Sequence, residues 1–133
     1  MIGMSLATAR MGKRKVILVV DDDPDLNELM CNILNDAGYE TISAYDGSEG
    51  MSMTRDEQPD LVLLDIMMPG MDGIEVCRNL NSDDTTRSIP IIMVTVKNEL
   101  SSKLSSYIAG ARRFISKSVQ MDELVTEVEK VLK

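Results

Sequence analysis

Five short apolar runs alternate along the chain with longer stretches in which apolar residues recur every three or four positions. The runs are Lys15 to Val20, Thr41 to Tyr45, Leu61 to Leu64, Ile91 to Val94 and Arg113 to Ile115, and each reads as a β-strand. The first, third and fourth are nearly all apolar, the pattern of parallel strands covered on both faces. The second is mixed and the fifth is short and polar at one side, which places those two nearer the sheet edges.

Helices are predicted between the runs. Leu26, Leu29, Met30, Ile33 and Leu34 follow the i, i+3, i+4, i+7, i+8 spacing of one helical face, with Asp23 placed to cap, Pro24 at the first position and Gly38 at the stop. A weaker helix is expected from Gly47 to Glu57, ended by Pro59. Asp72 and Glu75 make a capping-box-like start for a third through Leu80, with Asp in place of the usual Ser or Thr. Asn98 is placed to cap a fourth through Ile108, closed by Gly110, and Leu124, Val125, Val128, Val131 and Leu132 form the stripe of the last. Strand and helix thus alternate about five times, which predicts an α/β fold with a parallel sheet and helices on both faces. With no internal repeat, low-complexity tract or linker, one domain is expected over 14–133. It follows a flexible leader at 1–13, native or added, in which basic residues follow apolar ones, the reverse of a signal peptide.

Composition narrows the class. The 133 residues suit a single core, and 44% hydrophobic and 27% charged residues are ordinary for a globular domain. A net charge of −8 disfavours nonspecific binding to nucleic acid or an anionic membrane, and no apolar stretch approaches the roughly 18 residues of a membrane span. Cys31 and Cys77 sit in apolar helical patterns and are expected to be buried thiols. With no histidine and no close cysteine pair, zinc and a disulfide scaffold are disfavoured, and a reducing cytoplasm is the expected setting.

The chemistry lies where the strands end. Ligands of an open α/β sheet collect beyond the carboxyl ends of its strands. Asp21 and Asp22 follow the first strand, Asp65 the third, Thr95 ends the fourth and Lys117 follows the fifth. Three clustered carboxylates cannot all stay ionised cheaply. A hard divalent cation such as Mg²⁺, which takes oxygen ligands and keeps several waters, offsets that repulsion. A carboxylate beside it is placed to attack phosphorus, with the metal, a lysine and a hydroxyl sharing the charge on the phosphoryl oxygens. Met67, Met68 and Met71 are read as packing rather than as soft-metal ligands, because the neighbouring donors are oxygens. Asp23 and Asp72 are read as helix caps, and Arg112 and Arg113 as a solvated basic pair or part of a partner-binding face.

The segments "VILVVDDDP", "LVLLDIMMPGMDG", "IIMVT" and "GARRFISK" resemble the successive motifs of response-regulator receiver domains, the phosphoacceptor modules of two-component signalling. The resemblance runs from about Lys15 to the C-terminus, and the "D-x-x-M-P-x-M-D-G" segment from Asp65 to Gly73 is its most specific part. It implies a flavodoxin-like doubly wound sheet of strand order 2-1-3-4-5. It also implies Asp65 as phosphoacceptor, and Mg²⁺ held by Asp22, Asp65 and the Met67 backbone carbonyl, with Asp21 acting through water. Thr95 corresponds to the switch hydroxyl, Lys117 to the lysine paired with the phosphoryl group, and Phe114 to the aromatic switch position. The implied partners are a sensor histidine kinase or phosphotransfer protein and a downstream protein. Dimerisation on phosphorylation is left open, and neither direct nucleic-acid binding nor membrane association is expected.

Two positions depart from the family pattern. Ser118 follows Lys117 where proline is usual, and a cis bond there would cost about 2.5–4 kcal/mol instead of roughly 0.5–1. Val96 stands where a small residue is usual and narrows access to the site. Apolar Met67 offers no group to orient attacking water, so slow loss of phosphate is expected. Two alternatives follow. One is a degenerate receiver acting as a phosphorylation-independent interaction module. The other is a haloacid-dehalogenase-type Mg²⁺ phosphohydrolase, disfavoured because Met67 stands where such enzymes carry a second aspartate.

Overall fold

The computed structural model describes residues 14–95, 100–117 and 122–133. Its elements are β1 (Val16–Val20), α1 (Pro24–Asp36), β2 (Glu40–Ala44), α2 (Gly47–Glu57), β3 (Leu61–Leu64), α3 (Gly73–Ser82), β4 (Ile91–Thr95), α4 (Leu100–Ile108), β5 (Arg113–Ser116) and α5 (Asp122–Leu132). All strand pairs are parallel, in the order β2-β1-β3-β4-β5, so the fold is the doubly wound sheet the resemblance implies and the two mixed strands are its edges. The predicted leader lies outside the described residues, as do Asn98 and the cap expected there.

Alternation along the central strands divides the core into two layers. Leu18, Val20, Val62, Leu64 and Met93 point to one face, where they meet Val76, Cys77 and Leu80 of α3. Ile17, Val19, Leu61, Leu63 and Ile92 point to the other, where they meet Met30, Cys31 and Leu34 of α1 and Leu124 and Val128 of α5. Every residue of β1 and β3 is buried, as expected for strands sandwiched between helices. Both cysteines are free and buried, and burial pushes the Cys77 thiol up to about 11. Among the described residues no helix is long and apolar enough to cross a membrane.

Local chemistry starts and stops the helices largely where expected. The Asp23 carboxylate accepts from the N–H groups of Asp25 and Leu26, with Pro24 opening α1. Asp46 accepts from the Glu49 N–H while Glu49 reaches back to the Tyr45 N–H, which anchors α2. Gln58, in the left-handed region at φ 49°, ends α2 one residue before Pro59. Two expectations need correction. Asp72 caps α3 through the Ile74 N–H rather than that of Glu75, a tighter turn than a capping box. The buried stripe of α1 is Asn27, Met30, Cys31 and Leu34, whereas Leu29 is 46% exposed. The helix is rotated relative to its apolar pattern because the Asn27 amide finds hydrogen-bond partners in the sheet that no apolar residue could use.

Candidate functional site

Three strand ends converge on one rim of the sheet. β1 runs directly into Asp21 and Asp22, β3 into Asp65 and β5 into Lys117, so parallel register alone brings these residues together. One carboxylate oxygen from each of Asp21, Asp22 and Asp65 lies within 4.8 Å of the others. Asp21 and Asp65 are buried and Asp22 is exposed at the mouth. Lys117 Nζ stands 2.7 Å from Asp21 Oδ2 and 3.3 Å from Asp65 Oδ2, its side chain only 9% exposed.

Each buried acid is also held by the backbone. Asp21 Oδ1 accepts from the Asp23 N–H at 2.9 Å, and Asp65 Oδ1 accepts from the Met67 N–H at 3.3 Å. Asp65 in turn depends on Gly73. The Gly73 N–H donates to the Ile66 carbonyl, and a Cβ at position 73 would sit 2.1 Å from the Asp65 carbonyl oxygen and 2.7 Å from Ile66 Cα. The first turn of α3 therefore presses on the chain that presents Asp65. Between them Gly70 turns the loop at φ 82°.

The electrostatics are unbalanced. Two unit charges at these separations repel by about 3–4 kcal/mol at an effective dielectric of ~20. Burial pushes the Asp65 carboxyl above its ordinary value, with Asp21 adding to the shift and Lys117 and the Met67 N–H opposing it. Burial also works to lower the Lys117 ammonium, but the two carboxylates outweigh it and its pKa is raised. Three carboxylates facing one ammonium leave two negative charges uncompensated. Asp21 Oδ2 is moreover buried, and the Lys117 ammonium at 2.7 Å is the positive group that faces it. An all-oxygen donor set with two surplus negative charges fits a hard divalent cation and its waters.

The remaining residues divide. Thr95 ends β4 in register with Ser116, but its side chain lies outside the described residues, as do Val96 and Ser118. Phe114, paired with Met93, is half-buried against the core. Met68 is buried in the core, Met71 packs against it and Met67 is 51% exposed, so packing accounts for the first two. Arg113 pairs with Glu127 on α5, while Arg112 is exposed. Sequence reasoning missed Asn27 and the tight seat of Gly73. Asn27 forms an i, i+3, i+4, i+7 set with Met30, Cys31 and Leu34, the one available signal of its burial.

A fold of this order with acids at the ends of β1 and β3 and a lysine after β5 defines a class of doubly wound α/β domain with an acidic rim, and comparison with known proteins names it. The family model for the response regulator receiver domain matches residues 17–129, and the chain belongs to that family. It is 42% identical over 115 residues to the DNA-binding response regulator MtrA of Mycolicibacterium smegmatis, covering 86% of the chain and 49% of the relative. It is 40% identical over 119 residues to the phosphate regulon transcriptional regulatory protein PhoB of Pseudomonas aeruginosa, covering 90% and 52%. The chain thus spans about half the length of the curated relatives it matches. Among solved structures, a CheY-like receiver domain protein from Methanospirillum hungatei superposes with TM-score 0.84 at 32% identity, covering 90% of this chain and 94% of that one. The chemotaxis protein CheY4 of Vibrio cholerae also superposes with TM-score 0.84, at 27% identity, covering 90% and 99%.

Proposed function

We propose that the chain is a phosphorylation switch that takes a phosphoryl group from a histidine kinase or phosphotransfer protein onto Asp65. The observation that carries this reading is the joint approach of Lys117 Nζ to Asp21 and Asp65 with Asp22 in the same cluster. An Asp65 carboxylate oxygen attacks phosphorus; the new O–P bond forms as the bond from phosphorus to the donor nitrogen breaks, and that nitrogen leaves with the electron pair. Mg²⁺, held by Asp22, Asp65 and the Met67 carbonyl with Asp21 acting through water, would supply positive charge to the phosphoryl oxygens. Lys117 is already within reach of Asp65 and pairs with a phosphoryl oxygen once the carboxylate is esterified. This is self-modification, not turnover of a substrate.

The signal then leaves through Thr95 and Phe114. A hydroxyl drawn toward the phosphoryl group would leave space for Phe114, half-buried against the core, to follow, shifting the population of the face built from α4, β5 and α5. Helix α4 carries Leu104, Tyr107 and Ile108 as exposed apolar residues. The intact cluster of acids and lysine supports a phosphorylated switch over a phosphorylation-independent module. Treatment with acetyl phosphate and Mg²⁺ followed by intact-mass measurement tests the reading. One phosphoryl adduct is expected on the unsubstituted protein and none on Asp65→Asn, and an unmodified wild-type protein would overturn it.

A further inference from the structure

The structure assigns to Asn27 the positioning of the Asp21–Asp22 pair, and through it the affinity of the site for its divalent cation; this rests on the function proposed above. Consecutive residues of an extended strand point to opposite faces. For Asp21 and Asp22 to bring oxygens within 4.8 Å of each other and of Asp65, the chain must leave the strand at that point. Leaving the strand takes the Asp21 carbonyl past the end of β1 in a buried place, where it needs a donor.

Asn27 supplies it. Its side chain is fully buried, and the two Nδ2 hydrogens are shared among the carbonyls of Ala44 at 3.1 Å, Asp21 at 3.2 Å and Val19 at 3.3 Å. These carbonyls lie at the carboxyl ends of β1 and β2, where the last rung is the Asp21 N–H donating to Ala44. The amide thus closes the sheet edge that the turn to Asp22 leaves open. Its orientation follows from chemistry, since three carbonyls can only accept and must face the nitrogen. At the other end Oδ1 accepts from the Ser43 hydroxyl at 2.7 Å and from the Cys31 thiol at 3.5 Å, which prevents the amide from turning.

Asn27 touches no carboxylate oxygen, so it is a positioning residue. Loss of such an outer partner commonly weakens metal affinity by about 10–100-fold. The test is calorimetric titration of Mg²⁺ into the whole chain at neutral pH. Asn27→Leu removes the three donated bonds and is expected to weaken Mg²⁺ binding by about tenfold or more. Ser43→Ala frees the amide without removing it and is expected to weaken binding severalfold. Thr86→Val is the matched control, because it deletes a buried hydroxyl bonded to the Leu80 carbonyl, away from the site, and should lose stability while keeping wild-type affinity. Wild-type affinity in folded Asn27→Leu, or a weakening in Thr86→Val equal to that in Asn27→Leu, would overturn the assignment. If Asn27→Leu does not fold, Ser43→Ala decides, with unchanged affinity counting against it. Absence of Mg²⁺ binding by the unsubstituted protein would overturn the site reading itself and this inference with it.

Discussion

Asp65 and Lys117 respond to pH in opposite senses. A carboxyl raised by folding costs stability above its folded pKa, and that cost disappears as pH falls toward the ordinary value of 3.8. An ammonium raised by folding contributes fully below its ordinary value of 10.5 and loses that contribution as pH rises through the folded pKa. Asp65→Asn removes the first effect and only part of the second, because Asp21 still faces Lys117. Without metal at neutral pH it should unfold a few degrees higher than wild type, the scale of about 1 kcal/mol in a chain this size. A lower midpoint by thermal denaturation would show that Lys117 outweighs the cost of burial. Lys117→Met should do the reverse, losing about 3–5 kcal/mol in urea denaturation at neutral pH because two buried carboxylates lose their partner. That loss should shrink on acidification as the acids take up protons.

The turn of chain from β3 into α3 transmits packing to the site. Gly73→Ala drives a methyl group into the Asp65 carbonyl, whereas Gly70→Ala meets no atom and only strains a positive φ. Overpacking should cost about 1–3 kcal/mol or more in the first variant, and the left-handed strain about 1–2 kcal/mol in the second. The sharper difference is functional: phosphoryl incorporation should fall in Gly73→Ala and persist in Gly70→Ala, as intact mass would read. The sequence revealed strand runs, caps and the strand ends that carry Asp21, Asp22, Asp65 and Lys117, because each follows from local pattern plus one topological rule. Gly73 was hidden because its neighbour, Asp65, is eight residues earlier, and a glycine after a cap looks like any turn. Asn27 was hidden for a related reason. Leu29 completed an apolar face better than Asn27 did, and only the carbonyls of β1 and β2 decide which of them turns inward.

At the scale of the molecule, a parallel sheet turns three separated segments into one ionic cluster, and the cluster is expected to make stability depend on ligand. Magnesium at 100 times its dissociation constant should add about 2.7 kcal/mol to the unfolding free energy of wild type. Addition of a chelator should remove this gain, and Asp22→Asn should greatly reduce it, as thermal shift would show. The acid cluster, the Lys117 contacts and family membership bear on one claim, that Asp65 is the residue that carries the phosphoryl group. Borohydride reduces an acyl phosphate to the alcohol, so reduction after treatment with acetyl phosphate and Mg²⁺, followed by peptide mass mapping, reads which aspartate was modified. The account predicts a reduced side chain at position 65, with Asp21, Asp22 and Asp23 intact; reduction at any of those three with Asp65 untouched would contradict it.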